Sequence, residues 1–554
     1  MQASPDLQVI ARQTGQLIMP EVILTLFACA ALVLDVMLPR DRKRIVAWLS
    51  LAGVGFSLVS LGILYFAAGG ASMTARNGFF DMIVIDSYAV VFKLIFLIGA
   101  GLTILLSIKY LDIEDEQRGE YYALILFSVV GMMFMASGID LLSLFISLEL
   151  MAISVYILVG FFKRDKRSNE ASMKYFLLGA FSSGVLLYGI SMIYGLTGTT
   201  NLANIAAALP KVIALQTIES NNGPIFIDQR YLLLMSVILM AAGMFFKVAV
   251  VPFHMWAPDA YEGAPTSITA FMSVGVKAAS FAMFGRLFLY GLPGLRSTMA
   301  GDPANNIAAL PGWALLLGIA AAITIVWGSL GALTQQNTKR LLAYSSISHA
   351  GFTLLGLVAG NQTGYTGFII YLFVYTVMNL GVFGCIIALR RRGIIGDRMD
   401  DFNGLMGKAP WLTVMMTIFL LSLGGIPPTA GFVGKLWLFM GLVETGNPWL
   451  IRLAILASVM TVVSLFYYLR FIVAMFIKPE TETQPIKLAP SVQVVLAVAA
   501  LFVILVGIFP QRIIGLTQKA ASSQGITVEQ KTVTGAETPT ATPPARRPTT
   551  PPPR

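Results

Sequence analysis

The sequence predicts an all-α polytopic membrane protein of about fourteen transmembrane helices, on three observations. Hydrophobic residues make up 56% of the 554 and charged residues only 12%, against about 25% charged in soluble proteins. The apolar residues fall in runs matched to the thickness of a bilayer, separated by short polar connections. Basic residues gather in alternate connections, as they do when loops sort to one side of a membrane.

Taken in order, the apolar windows lie near residues 17–38, 45–68, 86–108, 121–138, 140–162, 173–196, 231–253, 265–290, 312–334, 341–359, 364–389, 411–441, 449–476 and 491–510. Backbone polar groups in lipid must be satisfied within their own segment. Runs this long do so as helices, whereas a barrel needs short alternating strands. The expected organisation is an N-terminal three-helix segment (1–120), a first repeat (121–290), a second repeat (312–476), a C-terminal helix (491–510) and a tail (520–554).

The basic clusters RDRKR at 40–44, KRDKR at 163–167, KR at 339–340 and RRR at 390–392 all follow odd-numbered spans, which makes that side cytoplasmic. The connections 69–85, 197–230 and 360–363 are nearly free of basic residues. Both termini then face the opposite compartment. The opening MQASPDLQVIARQTGQ lacks the pattern of a secretory signal, so the first span is expected to drive insertion. The tail TVTGAETPTATPPARRPTTPPPR is rich in Pro and Thr and is expected to stay outside any packed core.

The net charge of +10 would suggest nucleic acid in a soluble protein. In this composition it reflects positive loops, and no nucleic-acid partner is expected. Cys29 and Cys385 stand inside apolar runs without partner spacing. That excludes disulfide, zinc and iron–sulfur frameworks, so no cofactor or metal is expected on this chain.

An ionisable group inside a span costs a few kcal/mol or more, and few are present. Glu149 sits mid-span in LLSLFISLELMAISVYILVG, about 15 Å from either end. Lys174 lies near the start of the next span, placed either to snorkel to the interface or to reach Glu149. Lys247 precedes Pro252 in GMFFKVAVVPFHMWAPDAYEGAPT. Proline removes a backbone donor and clashes with the preceding turn, so the helix should break beside the lysine, as tolerated where a hydrated cavity is lined.

Lys277 is mid-span among small residues, and Lys435 follows GGIPP, where Pro427 and Pro428 break a second helix. Two lysine-bearing broken helices far apart in sequence point to a repeated transporter half. In the register of 141–160 against 341–360, Glu149 falls opposite His349, a side chain fit either to relay protons or to sit satisfied in the core. The odd spacing would make the repeats inverted. Lys93, Arg286 and Arg452 lie near span ends and read as snorkelling residues, and His254 as interfacial.

The stretches SLELMAISVYILVG, FHMWAPDAYEGAPT, KRLLAYSSISHAGF and LGGIPPTAGFVGKLW resemble subunit N, the subunit 2 type, of bacterial proton-pumping NADH:quinone oxidoreductase (respiratory complex I), one of the antiporter-like family. The likeness runs from about residue 17 to 510 and leaves out the tail. It implies a fourteen-helix fold with spans 4–8 and 9–13 as inverted repeats, each with a discontinuous helix. It further implies a proton path in which Glu149 pairs with Lys174, Lys247 is the central lysine, Lys277 connects the halves and Lys435 lies on the exit side. Flavin, iron–sulfur clusters and quinone would belong to partner subunits, and the neighbours would be other antiporter-like and small membrane subunits.

Two further readings compete. An Mrp-type cation/proton antiporter subunit would use the same buried Glu and Lys without a redox partner. A purely structural scaffold leaves the desolvated lysines unexplained.

Overall fold

The structure, a computed structural model, describes residues 15–39, 42–70, 73–214, 229–296, 312–390, 396–479 and 488–523. The tail beyond residue 523 and parts of the loops at 40–44, 197–230 and 390–392 lie outside the described residues.

Every apolar window except 411–441 is met by one long helix. The helices are α1 (Met19–Met37), α2 (Arg44–Ala67), α3 (Ser87–Glu114), α4 (Gly119–Ser137), α5 (Leu141–Val159), α6 (Lys166–Thr197), α7 (Leu202–Ala214), α8 (Gln229–Val248), α9 (Trp256–Gly263) and α10 (Thr266–Gly291). There follow α11 (Trp313–Leu333), α12 (Thr338–Ala359), α13 (Gln362–Leu389), α14 (Pro410–Gly424), α15 (Ala430–Glu444), α16 (Pro448–Phe476), α17 (Pro490–Ile508) and α18 (Gln511–Ser522). Among the described residues, 13 helices are long and apolar enough to cross a membrane. The expected window 411–441 is met by two half-helices of 15 residues each, α14 and α15, which supply the remaining crossing.

Helix starts follow from capping side chains. Asp86, Asp140, Asp165, Asn337, Asn361 and Asn447 each accept a backbone N–H from the first turn of α3, α5, α6, α12, α13 and α16. Helices α6 and α12 stop at Gly198 and Gly360, both in the left-handed conformation. Three elements go unannounced in the sequence; the first is α18, Gln511–Ser522, which runs into the expected tail and buries Ala520 and Ala521, so the tail begins later than residue 520. The others are the short helix α7, which contains Pro210, and an antiparallel hairpin pairing Arg76–Gly78 with Ile83–Ile85.

The bundle has a clear centre. All of the apolar window of α10 is buried, and 94% of those of α12 and α13, against 33% for α1, α2 and α16. The central helices therefore do not meet lipid, which lets α10 and α12 carry Lys277 and His349.

Of the three side chains expected to snorkel, two do not. Lys93 is fully buried and forms an ion pair with Glu21 at 2.5 Å. Arg286 is equally buried, donating to both carboxylate oxygens of Asp86 at 2.8 Å and to the Ala136 carbonyl at 2.9 Å. Carboxylates brought by other helices neutralise both cations at depth, so neither reaches for the interface. Arg452 is exposed.

Candidate functional site

Helix α8 ends one residue after Lys247. Ala249 takes a left-handed φ of 59°, and the Val250 and Ala249 amides donate back to the Phe245 and Phe246 carbonyls at 2.9 and 3.1 Å. This is a Schellman closure with alanine where glycine is usual. Pro252, joined by a cis bond, follows it, and the chain resumes helix at Trp256.

Lys247 is thereby held in the interior, 2% exposed, donating to the Ser183 hydroxyl at 3.0 Å and the Tyr156 hydroxyl at 3.3 Å. The Ser183 hydroxyl in turn donates to Glu149 Oε1 at 2.5 Å, and Lys247 Nζ lies 3.9 Å from that same oxygen. Glu149 is half-buried, its side chain 27% exposed. A carboxylate reachable from outside this chain is thus linked, through one hydroxyl, to a buried ammonium at a helix break.

Lys174 does not join them. It is exposed and pairs with Glu170 at 2.8 Å and Asp259 at 3.1 Å. Its position along α6 explains this: Ser183, which marks the depth of Glu149, lies nine residues on, about 13 Å further into the membrane. The Glu149–Lys174 pairing implied by the family resemblance is replaced here by Glu149–Lys247.

Lys277 follows a wide π-helical turn, Met272–Val276, in the middle of α10. Such turns often mark functional positions. Its ammonium donates to the Ser346 hydroxyl at 2.6 Å and the Ser346 carbonyl at 3.0 Å on α12. One turn further along α12, His349 is buried with both ring nitrogens engaged: Nδ1 with the Tyr371 hydroxyl at 2.5 Å and Nε2 with the Tyr468 hydroxyl at 2.9 Å. A neutral imidazole donates through one nitrogen and accepts through the other.

The second break repeats the first. Gly425 has φ 81°, and the Ile426 and Gly425 amides close on the Leu421 and Ser422 carbonyls at 3.1 and 3.0 Å, again a Schellman closure. Pro427 and Pro428, joined by a cis bond, follow. Lys435, on the next half-helix, reaches back to the free carbonyls of Leu423 and Gly424 at 3.1 and 3.2 Å. A cation at a helix C-terminus satisfies acceptors that the helix itself leaves open. Among the described residues no carboxylate pairs with Lys277 or Lys435.

His254 lies within the first break, its ring edge-on to Trp327 at 6.0 Å. At the other end of α9 is a charged cluster in which Arg340 donates to Asp259 at 2.9 Å and Glu262 at 3.1 Å. Beside it, burial pushes the Asp397 carboxyl above the usual carboxylate range, with Lys339 and Arg390 pulling against it.

The structure brings Glu149 to Lys247, sets Lys277 and His349 on one side of α12 and leaves Lys174 apart. Sequence reasoning missed the hydroxyl groups that connect these charges: Tyr156, Ser183, Ser346, Tyr371 and Tyr468. Adjacent serines inside apolar runs, SS at 182–183 and 345–346, were the available signal.

A model of the family described as "NADH:quinone oxidoreductase/Mrp antiporter, TM" matches residues 138–461. The chain is similar to the NADH-quinone oxidoreductase subunit N 1 of Koribacter versatilis (strain Ellin345), 47% identical over 518 residues that cover 92% of this chain and 96% of the relative. It resembles a chain in the structure of respiratory complex I from Thermus thermophilus with bound aureothin, at 29% identity and TM-score 0.68, covering 89% and 98% of the two chains. A chain of the Mrp complex from Dietzia sp. DQ12-45-1b shares the fold at 21% identity and TM-score 0.72, covering 91% and 98%.

Proposed function

The chain belongs to the subunit N family of NADH-quinone oxidoreductases, multi-pass membrane proteins of the antiporter-like class, and from that premise we propose that it moves protons across the membrane while other subunits oxidise NADH and reduce quinone. The observation that carries the reading is the Glu149–Ser183–Lys247 chain at the first helix break. Burial disfavours a charged lysine and a nearby carboxylate favours it, so a charge change at Glu149 alters how firmly Lys247 holds its proton.

From Lys247 the path continues to Lys277, passes through Ser346 and His349 with its two tyrosines, and ends at Lys435, whose carbonyl cradle accepts the ammonium without an anion. Pro252, Pro427 and Pro428 keep the two breaks open. Lys174 acts from the cytoplasmic end through its ion pairs with Glu170 and Asp259. No cofactor is held on this chain; flavin, iron–sulfur clusters and quinone reside on partner subunits of the membrane complex. The membrane is the bacterial inner membrane, with both termini periplasmic, in keeping with the basic loops. Spans 4–8 and 9–13 form inverted repeats, a reading supported by two breaks with the same closure, one lysine ahead of its break and the other behind.

Lys247→Ala tests this reading. NADH-driven quinone reduction and proton pumping should fall at least about tenfold, with normal subunit content. Wild-type pumping in a fully assembled variant rules the role out. A second reading, an Mrp-type cation/proton antiporter subunit, is favoured by the fold shared with the Dietzia chain. Copurifying flavin and iron–sulfur absorbance selects the oxidoreductase, and its absence the antiporter.

A further inference from the structure

Helix α12 carries both Ser346, which receives Lys277, and His349, and it is gripped at each end by the segment that carries Lys277. At its start, the buried Lys339 ammonium donates to the carbonyls of Glu262 at 2.9 Å and Ala264 at 3.1 Å, the free acceptors at the joint between α9 and α10. The neighbouring Arg340 binds Asp259 and Glu262 on the same half-helix, and Asn337 donates to Glu262 at 3.3 Å. At the far end of α12, the Arg296 guanidinium, just beyond α10, donates to the carbonyls of Val358 at 3.1 Å and Ala359 at 2.9 Å.

The Lys339 and Arg296 contacts are each a cation on carbonyls at a helix end, where the helix supplies no N–H of its own. A buried ammonium bound to two fixed carbonyls has little freedom to slide. Removing it takes the charged donor away from both carbonyls. The Lys277–Ser346 contact lies between the two grips, two turns, about 10 Å, along α12 from Lys339. That contact joins the two halves of the molecule through a single hydroxyl and carbonyl. A slip of α12 by even part of a turn would separate it.

We propose that Lys339 and Arg296 are positioning residues that lock the register of α12 against α10 and so maintain the Lys277–Ser346 contact through which the two halves exchange protons. The proposal rests on the proton-path reading above. It accounts for a lysine buried at a helix start, where the dipole opposes a cation, since the partners it serves belong to the C-terminal end of another helix.

The test uses the whole complex reconstituted in liposomes, with Lys339→Met, Lys339→Arg, Arg296→Met and Lys277→Ala. Subunit content, kcat and quinone KM for NADH-driven quinone reduction, and proton uptake per NADH are measured. Lys339→Met should lower kcat and pumping by up to about a hundredfold, as when reacting groups are misplaced by an ångström or so, with quinone KM and subunit content unchanged. Lys339→Arg, which can reach the same carbonyls, should recover most of the rate, and Arg296→Met should fall in the same direction as Lys339→Met.

Wild-type rates in Lys339→Met, or an Arg variant no better than Met, overturn the register lock. If Lys339→Met does not assemble, Arg296→Met decides by the same criteria. Wild-type pumping in Lys277→Ala sinks the proton path itself. A slow Lys277→Ala beside a wild-type Lys339→Met sinks only the lock.

Discussion

Buried cations in this protein divide by what neutralises them. Lys93 and Arg286 meet carboxylates, Glu21 and Asp86, while Lys277 and Lys435 meet neutral groups: hydroxyl and carbonyl oxygens and the ring faces of Tyr261 and Phe352. A buried ion pair holds its two helices together, whereas a cation on neutral acceptors can give up its proton without stranding an anion. Arg286→Met should therefore leave Asp86 buried without its cation, destabilising the subunit by about 3–5 kcal/mol and depleting it from the membrane. The double variant Asp86→Asn, Arg286→Met should regain much of the content, because Asn keeps the cap on α3. Quantifying the subunit in membranes decides the matter, and a single variant at wild-type content would contradict the assignment. At this scale the sequence shows that Glu149, Lys247, Lys277 and Lys435 are anomalous, because a charge in an apolar run needs a reason. It does not show their partners, since Asp86 and Arg286 are 200 positions apart and a serine or tyrosine in a span looks like ordinary packing.

At the scale of elements, the two breaks are the same device built from different residues. Each ends a half-helix in a Schellman closure with a left-handed residue, Ala249 or Gly425, and each holds a lysine at that end. A Cβ at Gly425 would adopt a strained φ and meet Lys435 Cδ at 3.0 Å. Gly425→Ala should cost about 1–2 kcal/mol in backbone strain and shift Lys435 from the Leu423 and Gly424 carbonyls. Quinone reduction should slow at normal subunit content, while Gly62→Ala, which meets open space, should be silent. Equal rates in the two variants would count against the cradle. The prolines made both breaks legible in the sequence. The π turn before Lys277 and the helix α7 were not, because the first needs no special residue and the second is short and contains Pro210.

For the whole molecule, hydropathy places every span, since lipid demands long apolar helices whatever their neighbours. It ranks them only in part: α10 and α12 are less apolar than the outer helices α1, α2 and α16, but α13, equally central, is as apolar as they are. The centre is recognised only when burial is seen. Orientation of the charges follows from that packing: Glu149 keeps one side toward the exterior of this chain while Lys247, Lys277, His349 and Lys435 lie inside. A charge arriving from a neighbouring subunit would thus meet Glu149 first. The most direct test of this account is proton uptake per NADH, measured in liposomes, by the assembled complex carrying Glu149→Gln, which keeps the shape and the Ser183 contact but cannot ionise. The account predicts that turnover and pumping fall together by about tenfold or more, with Glu149→Asp retaining part of both. Wild-type pumping by Glu149→Gln at normal subunit content would contradict it.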